Sequence, residues 1–116
     1  MTPSPKRGDI WLIDLDPTKG DEIRKRRPGV VVSSDSLGVL AVKLVVPITA
    51  WNPNYYGKVW HVRIDAHKRN GLAKASSADT LQTRSVSLLP FIRRLGSVEK
   101  GTLENIVAAL AIVVDD

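Results

Sequence analysis

Between residues 8 and 88 the apolar residues come in short runs, and glycine, proline, asparagine or serine closes most of them. That punctuation leaves little room for a long helix and points to strands joined by turns. Gly8–Asp16 reads as a strand that is apolar on both faces in its middle, hence largely buried. Pro17–Pro28, with seven charged residues, reads as a long mobile loop, and loops of that length in small domains are usually functional. Gly29–Ser33 is a second strand. A turn at Ser34–Ser36 and Gly38 leads to a third, Val39–Ile48, closed by Pro47-Ile48-Thr49. Lys58–Asp65 alternates, with Trp60, Val62 and Ile64 facing in and His61, Arg63 and Asp65 facing out. After a turn at Lys68–Gly71, Leu72–Ser87 is extended and polar, with Leu81, Val86 and Leu88 as its buried points.

The period then changes. Leu103, Ile106, Val107, Leu110, Val113 and Val114 follow helical spacing, which places a helix over about 97–114 with Ser97 as N-cap. So apolar a helix must bury most of its circumference, against a sheet or a partner subunit. Five to six short strands and one terminal helix predict a mostly β chain: a small antiparallel barrel with a C-terminal α-helix. Residues 1–116 make a single domain, with 1–7 as a flexible N-terminus, and an isologous dimer would cover the exposed rim.

Charge narrows the partners. Of the net +5, residues 99–116 carry −3, which leaves +8 on residues 1–98. Between Lys19 and Arg27 alone there are five cations and two anions. Such a body attracts polyanions, and nucleic acid is the common one in cytoplasm. Three of the six aromatic residues fall in Trp51-Asn-Pro-Asn-Tyr55-Tyr56, a cluster that suits unstacked bases or, equally, a loop packing on its own strands. The absence of cysteine excludes disulfide frameworks and Cys-ligated metals. No apolar run is long enough to span a bilayer and no signal-peptide pattern precedes the first strand, so the expected setting is cytoplasm without membrane contact.

Few residues can carry chemistry. Asp9, Asp14 and Asp16 share a strand, but no histidine or further carboxylate stands at ligand spacing, and His61 and His67 read as solvated strand-end residues. No metal site is expected. No serine elbow or phosphate-cradling glycine loop occurs. What remains is the loop and the strand ends beside it. Pro28 holds Arg27 in extended geometry, where its guanidinium can grip a phosphate with both arms or pair with Glu22. Thr49 sits on rigid backbone just past Pro47. If the second and third strands are hairpin neighbours, Arg27 and Thr49 reach the same end of the fold.

Gly8-Asp-Ile-Trp11, Asp16-Pro-Thr-Lys-Gly20-Asp-Glu22, Arg27-Pro28, Val31-Val-Ser33 and Val46-Pro-Ile-Thr49 occur in that order. Gly71-Leu72, Gln82-x-Arg84 and Arg94-Leu95-Gly96 follow them. Together they resemble the MazF/PemK/Kid family of bacterial toxin endoribonucleases. The resemblance implies an SH3-like barrel of the CcdB/MazF kind. It also implies a homodimer that cleaves single-stranded RNA, mRNA in particular, at short sequences without a metal or other cofactor. The expected partner is a cognate MazE-like antitoxin, with DNA met only indirectly through the antitoxin complex. Carried across, the catalytic residues are Arg27 and Thr49, with Glu22 matching a loop glutamate important in some members. Lys19, Arg24, Lys25, Arg26 and Arg84 become candidates for phosphate contacts, and Trp51 and Gln82 for further RNA contacts. The chain departs from the pattern at Leu81, where many members are acidic, and at Asp21, where one branch has histidine.

The chemistry this implies is attack by the RNA's own 2′-hydroxyl on the adjacent phosphorus, leaving a 2′,3′-cyclic phosphate and a 5′-hydroxyl. Arg27 stabilises the developing charge, and one placed donor contributes roughly 3–4 kcal/mol. Arginine is a poor proton acceptor at neutral pH. Proton transfer is therefore left open, with Glu22 or His61 as helpers. The competing reading is a non-enzymatic module of the same fold, either a gyrase poison like the CcdB toxins or a plain RNA-binding domain.

Overall fold

A computed structural model describes residues 4–15, 26–37 and 41–115. Within them the chain forms seven strands and one helix: β1 (Asp9–Asp14), β2 (Arg26–Val31), β3 (Val42–Ala50), β4 (His61–Ile64), β5 (Ser76–Asp79), β6 (Arg84–Ser87), β7 (Phe91–Ser97) and α1 (Lys100–Val114). All pairings are antiparallel, in the order β4-β5-β3-β2-β1-β7, with β6 as a branch on β3. The mostly β antiparallel reading with a C-terminal helix holds, and the word barrel fits it only loosely, because β4 and β7 do not pair and the sheet is not closed. Where a closing ladder would run, Ser97 N–H donates to the Arg69 carbonyl (2.9 Å) and α1 packs against β4.

β3 organises the sheet. Its first half pairs with β6 (Val45↔Arg84) and its last three residues with β5 (Ile48↔Ala78). Pro47 lies at that changeover, the place in a central strand where a missing N–H disrupts least. Alternation along the central strands divides the apolar residues between two faces. Val30, Val46, Ile48, Ile64 and Ala78 form one core with Leu103 and Ile106 of α1. Ile13, Val31, Val45, Val86 and Phe91 form a second. This is why β1 reads as apolar on both faces. Gly29 fits because nothing else does: a Cβ there would lie 2.5 Å from Val45 Cγ1 and 3.1 Å from Ile13 Cδ1.

Several expected boundaries shift. The loop expected to end at Pro28 gives way to β2 at Arg26, since Arg26 and Arg27 already pair with Asp14 and Ile13. Ser97 is not the N-cap. It belongs to β7 opposite Asp9, Val98 N–H donates to the Gly8 carbonyl (2.9 Å), and the helix is capped from Glu99 without a side-chain bond. The polar stretch before residue 88 breaks into β5, a 3₁₀ turn (Thr80–Gln82) and β6. That turn buries Thr80, whose hydroxyl donates to the Trp60 carbonyl (2.8 Å), and turns Leu81 outward to 55% exposure rather than into the core. Within this chain α1 buries Leu103, Ile106 and Ala109, while Val107, Ile112 and Val114 stay exposed, so most of its circumference is not covered. No helix among the described residues is long and apolar enough to cross a membrane.

Asp9 is structural. Nearly buried, it accepts from Lys6 N–H (2.9 Å) and Trp11 Nε1 (3.2 Å) and pairs with Arg94 Nε at 3.1 Å.

Candidate active site

The site grows from strand register. Gly29 pairs with Pro47, and the same register carried two residues further sets Arg27 across from Thr49, although the ladder itself stops at Gly29. Thr49 in turn pairs with Ser77 of β5, and Asp79 of β5 with His61 of β4. Alternation places Arg27, Thr49, Ser77, Asp79 and His61 on one face, opposite the core that α1 covers.

On that face lies an open pocket of about 520 Å³. Leu15, Pro47 and Ile48 supply apolar wall, and Arg27, Thr49, Tyr55, Asp79, Gln82 and Arg84 supply polar groups. Two guanidinium groups from β2 and β6 thus share a concavity with a threonine hydroxyl, a phenol, a carboxamide and one carboxylate. Among the described residues neither Arg27 nor Arg84 makes an ion pair, in contrast to Arg63, bound to Asp65 at 2.9 Å, and Arg94, bound to Asp9. Cations not already neutralised are the ones that can meet an anionic ligand.

One wall is aromatic. The ring of Tyr55 stacks on that of His61 (centroids 3.6 Å apart, 8° between planes). Trp51 meets Tyr55 and Tyr56 edge-on at 5.7 and 5.1 Å, and the Arg63 guanidinium lies 5.0 Å from the Trp51 ring centre. The cluster therefore packs on its own strands and also presents an aromatic surface, Tyr56 being exposed. His61 Nδ1 lies 2.8 Å from Ser77 Oγ. Burial lowers the His61 pKa from its ordinary 6.5, against the pull of Asp79 and with a smaller push from Lys58.

Of the residues singled out from sequence, the pocket brings together Arg27, Thr49, Gln82 and Arg84. Arg26 is not among them. It lines a separate hollow with Asp14 and Leu89, because adjacent strand residues face opposite ways. Trp51 stands behind Tyr55 rather than in the pocket wall. Lys19, Glu22, Arg24 and Lys25 lie outside the described residues. Asp79 was missed, although Ser77 and Asp79 carry the alternation of a strand beside Thr49. Among the described residues no group of three or more His, Cys, Asp or Glu converges.

A family model of PemK-like, MazF-like toxins of type II toxin–antitoxin systems matches residues 6–114. The endoribonuclease MazF9 of Mycobacterium tuberculosis (strain ATCC 25618 / H37Rv) is 34% identical over 116 residues, covering 95% of this chain and 96% of its own. The fold matches that of the Mycobacterium tuberculosis toxin MazF-mt6 with a TM-score of 0.72 at 22% identity, over 93% of this chain and 99% of the other. It also matches a mycobacterial endoribonuclease solved in complex with its cognate antitoxin, with a TM-score of 0.73 at 20% identity, over 96% and 95%.

Proposed function

This chain belongs to the PemK-like, MazF-like toxins of type II toxin–antitoxin systems, and we propose that it is an endoribonuclease toxin whose working centre is the Arg27–Thr49 pocket. One observation carries the reading: residues from β2, β3 and β6, far apart in sequence, line a single concavity whose two arginines make no ion pair among the described residues. The substrate is single-stranded RNA, mRNA in particular, cut at short sequences in the cytoplasm. A phosphodiester laid over the pocket meets the Arg27 fork at its nonbridging oxygens, and the Thr49 hydroxyl orients a nonbridging oxygen or the attacking group. The adjacent 2′-hydroxyl attacks phosphorus, the bond to the 5′-oxygen breaks, and the products are a 2′,3′-cyclic phosphate and a 5′-hydroxyl. No step requires a metal. Arg84 and Gln82 hold neighbouring positions of the strand, and Trp51 backs the aromatic wall against which a base can stack. Glu22 is a further catalytic candidate, and Lys19, Arg24, Lys25 and Arg26 are candidates for contacts to the RNA phosphates.

A MazE-like cognate antitoxin neutralises the enzyme, in keeping with the relative solved with its antitoxin. A homodimer fits the apolar residues that α1 leaves exposed.

The test is a long single-stranded RNA incubated with the protein in EDTA, alongside an RNA with a single 2′-deoxy at a mapped cleavage position. Fragments with 5′-hydroxyl ends, and no cut at the deoxy position, are expected. Binding without scission points instead to a non-enzymatic module, and cutting at the deoxy position removes the intramolecular chemistry.

A further inference from the structure

Intramolecular transesterification needs a group that takes the 2′-hydroxyl proton, and among the described residues, which do not include Glu22, the pocket restricts the choice. A guanidinium, a threonine hydroxyl, a glutamine carboxamide and a phenol are all poor proton acceptors near neutral pH. His61 does not line the pocket, its ring is covered by Tyr55 at 3.6 Å, and its Nδ1 is engaged with Ser77 Oγ. Asp79 is the one carboxylate in the pocket wall among the described residues. It is also held in place, since its Oδ1 accepts the Leu81 N–H (3.2 Å) at the start of the Thr80–Gln82 turn.

We propose that Asp79 is the catalytic proton acceptor of this pocket. The proposal rests on the endoribonuclease reading above. In the step, the 2′-O–H bond breaks and its proton passes to Asp79 Oδ2. The 2′-oxygen bonds to phosphorus, and the P–O5′ bond breaks. The departing 5′-oxygen takes a proton from water, and the hydroxide left behind takes the proton from Asp79. Asp79 thereby returns to its starting form. Of the titratable and charged groups nearby, His61 on β4 pairs with Asp79 across the ladder, Tyr55, Arg27 on β2 and Arg84 on β6 line the same pocket, and Lys58 acts on His61. The two arginines in the same pocket stabilise the phosphorane charge that develops during the step.

The test compares single-turnover cleavage by the wild-type protein, Asp79→Asn and Asp79→Ser between about pH 3.5 and 8. Both replacements keep a side-chain oxygen that can accept the Leu81 N–H, so the turn retains its cap while the base is lost. The expected result is a wild-type rate with an acid limb of unit slope, and variants slowed about 10²–10⁴-fold at neutral pH without that limb. Affinity for a non-cleavable 2′-O-methyl RNA should stay within about threefold, on the view that the base acts on the proton rather than on ground-state binding. Three results overturn the proposal: a wild-type profile without an acid limb, a variant that retains the limb, or a loss of affinity that accounts for the loss of rate. If the wild-type protein leaves RNA uncut, or makes 3′-hydroxyl ends, the endoribonuclease chemistry itself fails and the assignment of Asp79 falls with it. Wild-type cutting with unaffected variants removes Asp79 alone.

Discussion

Gly29→Ala tests whether the packing that brings β2 onto β3 is as close as the structure has it. The added methyl would lie 2.5 Å from Val45 Cγ1 and 3.1 Å from Ile13 Cδ1. Both neighbours are fully buried, and valine has few alternative χ1 positions, so neither side chain can swing into solvent. Overpacking of this kind costs about 1–3 kcal/mol. The backbone freedom that alanine removes from the unfolded chain offsets about 0.4–1 kcal/mol of that. The net expectation is a loss of about 1–2 kcal/mol, or a fall in Tm of about 4–10 °C for a chain of this length. Thermal unfolding followed by circular dichroism reads it directly. A double-mutant cycle with Val45→Ala isolates the cause. If the clash is with Val45, the methyl at 29 partly fills the space left at 45, and the cycle shows a favourable coupling of about 1 kcal/mol. A Gly29→Ala variant as stable as the wild type, or strictly additive effects in the cycle, would refute the reasoning.

Asp9→Ala should destabilise the fold by about 2–4 kcal/mol in urea unfolding, because it strands Trp11 Nε1 and Lys6 N–H and leaves Arg94 without its carboxylate. Acidification should weaken the fold through His61. Its folded pKa lies below the ordinary 6.5, so the unfolded chain takes the proton more readily. That contribution is complete above about pH 6.5 and is lost as pH falls through the lower folded value, a slope that His61→Gln should flatten in urea melts across this range. RNA affinity should drop steeply with salt, and Arg84→Ala should make the plot of log affinity against log salt shallower by about 0.7, the share of one phosphate contact on a single strand. An unchanged slope would place Arg84 off the RNA.

Much of this architecture was legible in the chain. Ile10 and Ile13 read as part of a strand buried on both faces, Val30 and Val31 as part of a second strand, and each pair is divided between the two cores. The Lys58–Asp65 alternation set His61 and Arg63 on the face away from α1, and that face carries the pocket. Arg27 and Thr49 could be placed at one end of the fold only on the condition that β2 and β3 pair, and they do. The illegible parts depend on tertiary contacts. Ser97 has the chemistry of an N-cap, but its backbone is claimed by β1 and by Arg69. Leu81 looks like a core residue, but the hydrogen bond from the buried Thr80 to Trp60 turns it outward. β7 was not anticipated because Arg93 and Arg94 interrupt its apolar pattern, and the latter is held by Asp9, 85 residues away in sequence. Asp79 was overlooked because it becomes chemical only through β5 lying beside β3.

The most direct measurement is the single-turnover cleavage rate of Arg27→Ala, Thr49→Ala and the double variant on one RNA. If both side chains act on one phosphodiester, each single change removes most of the activity, Arg27→Ala by about 10²–10³-fold or more, and the double variant is scarcely slower than the worse single one. Near-wild-type cutting by Arg27→Ala, or losses that simply multiply in the double variant, would contradict a shared centre in this pocket.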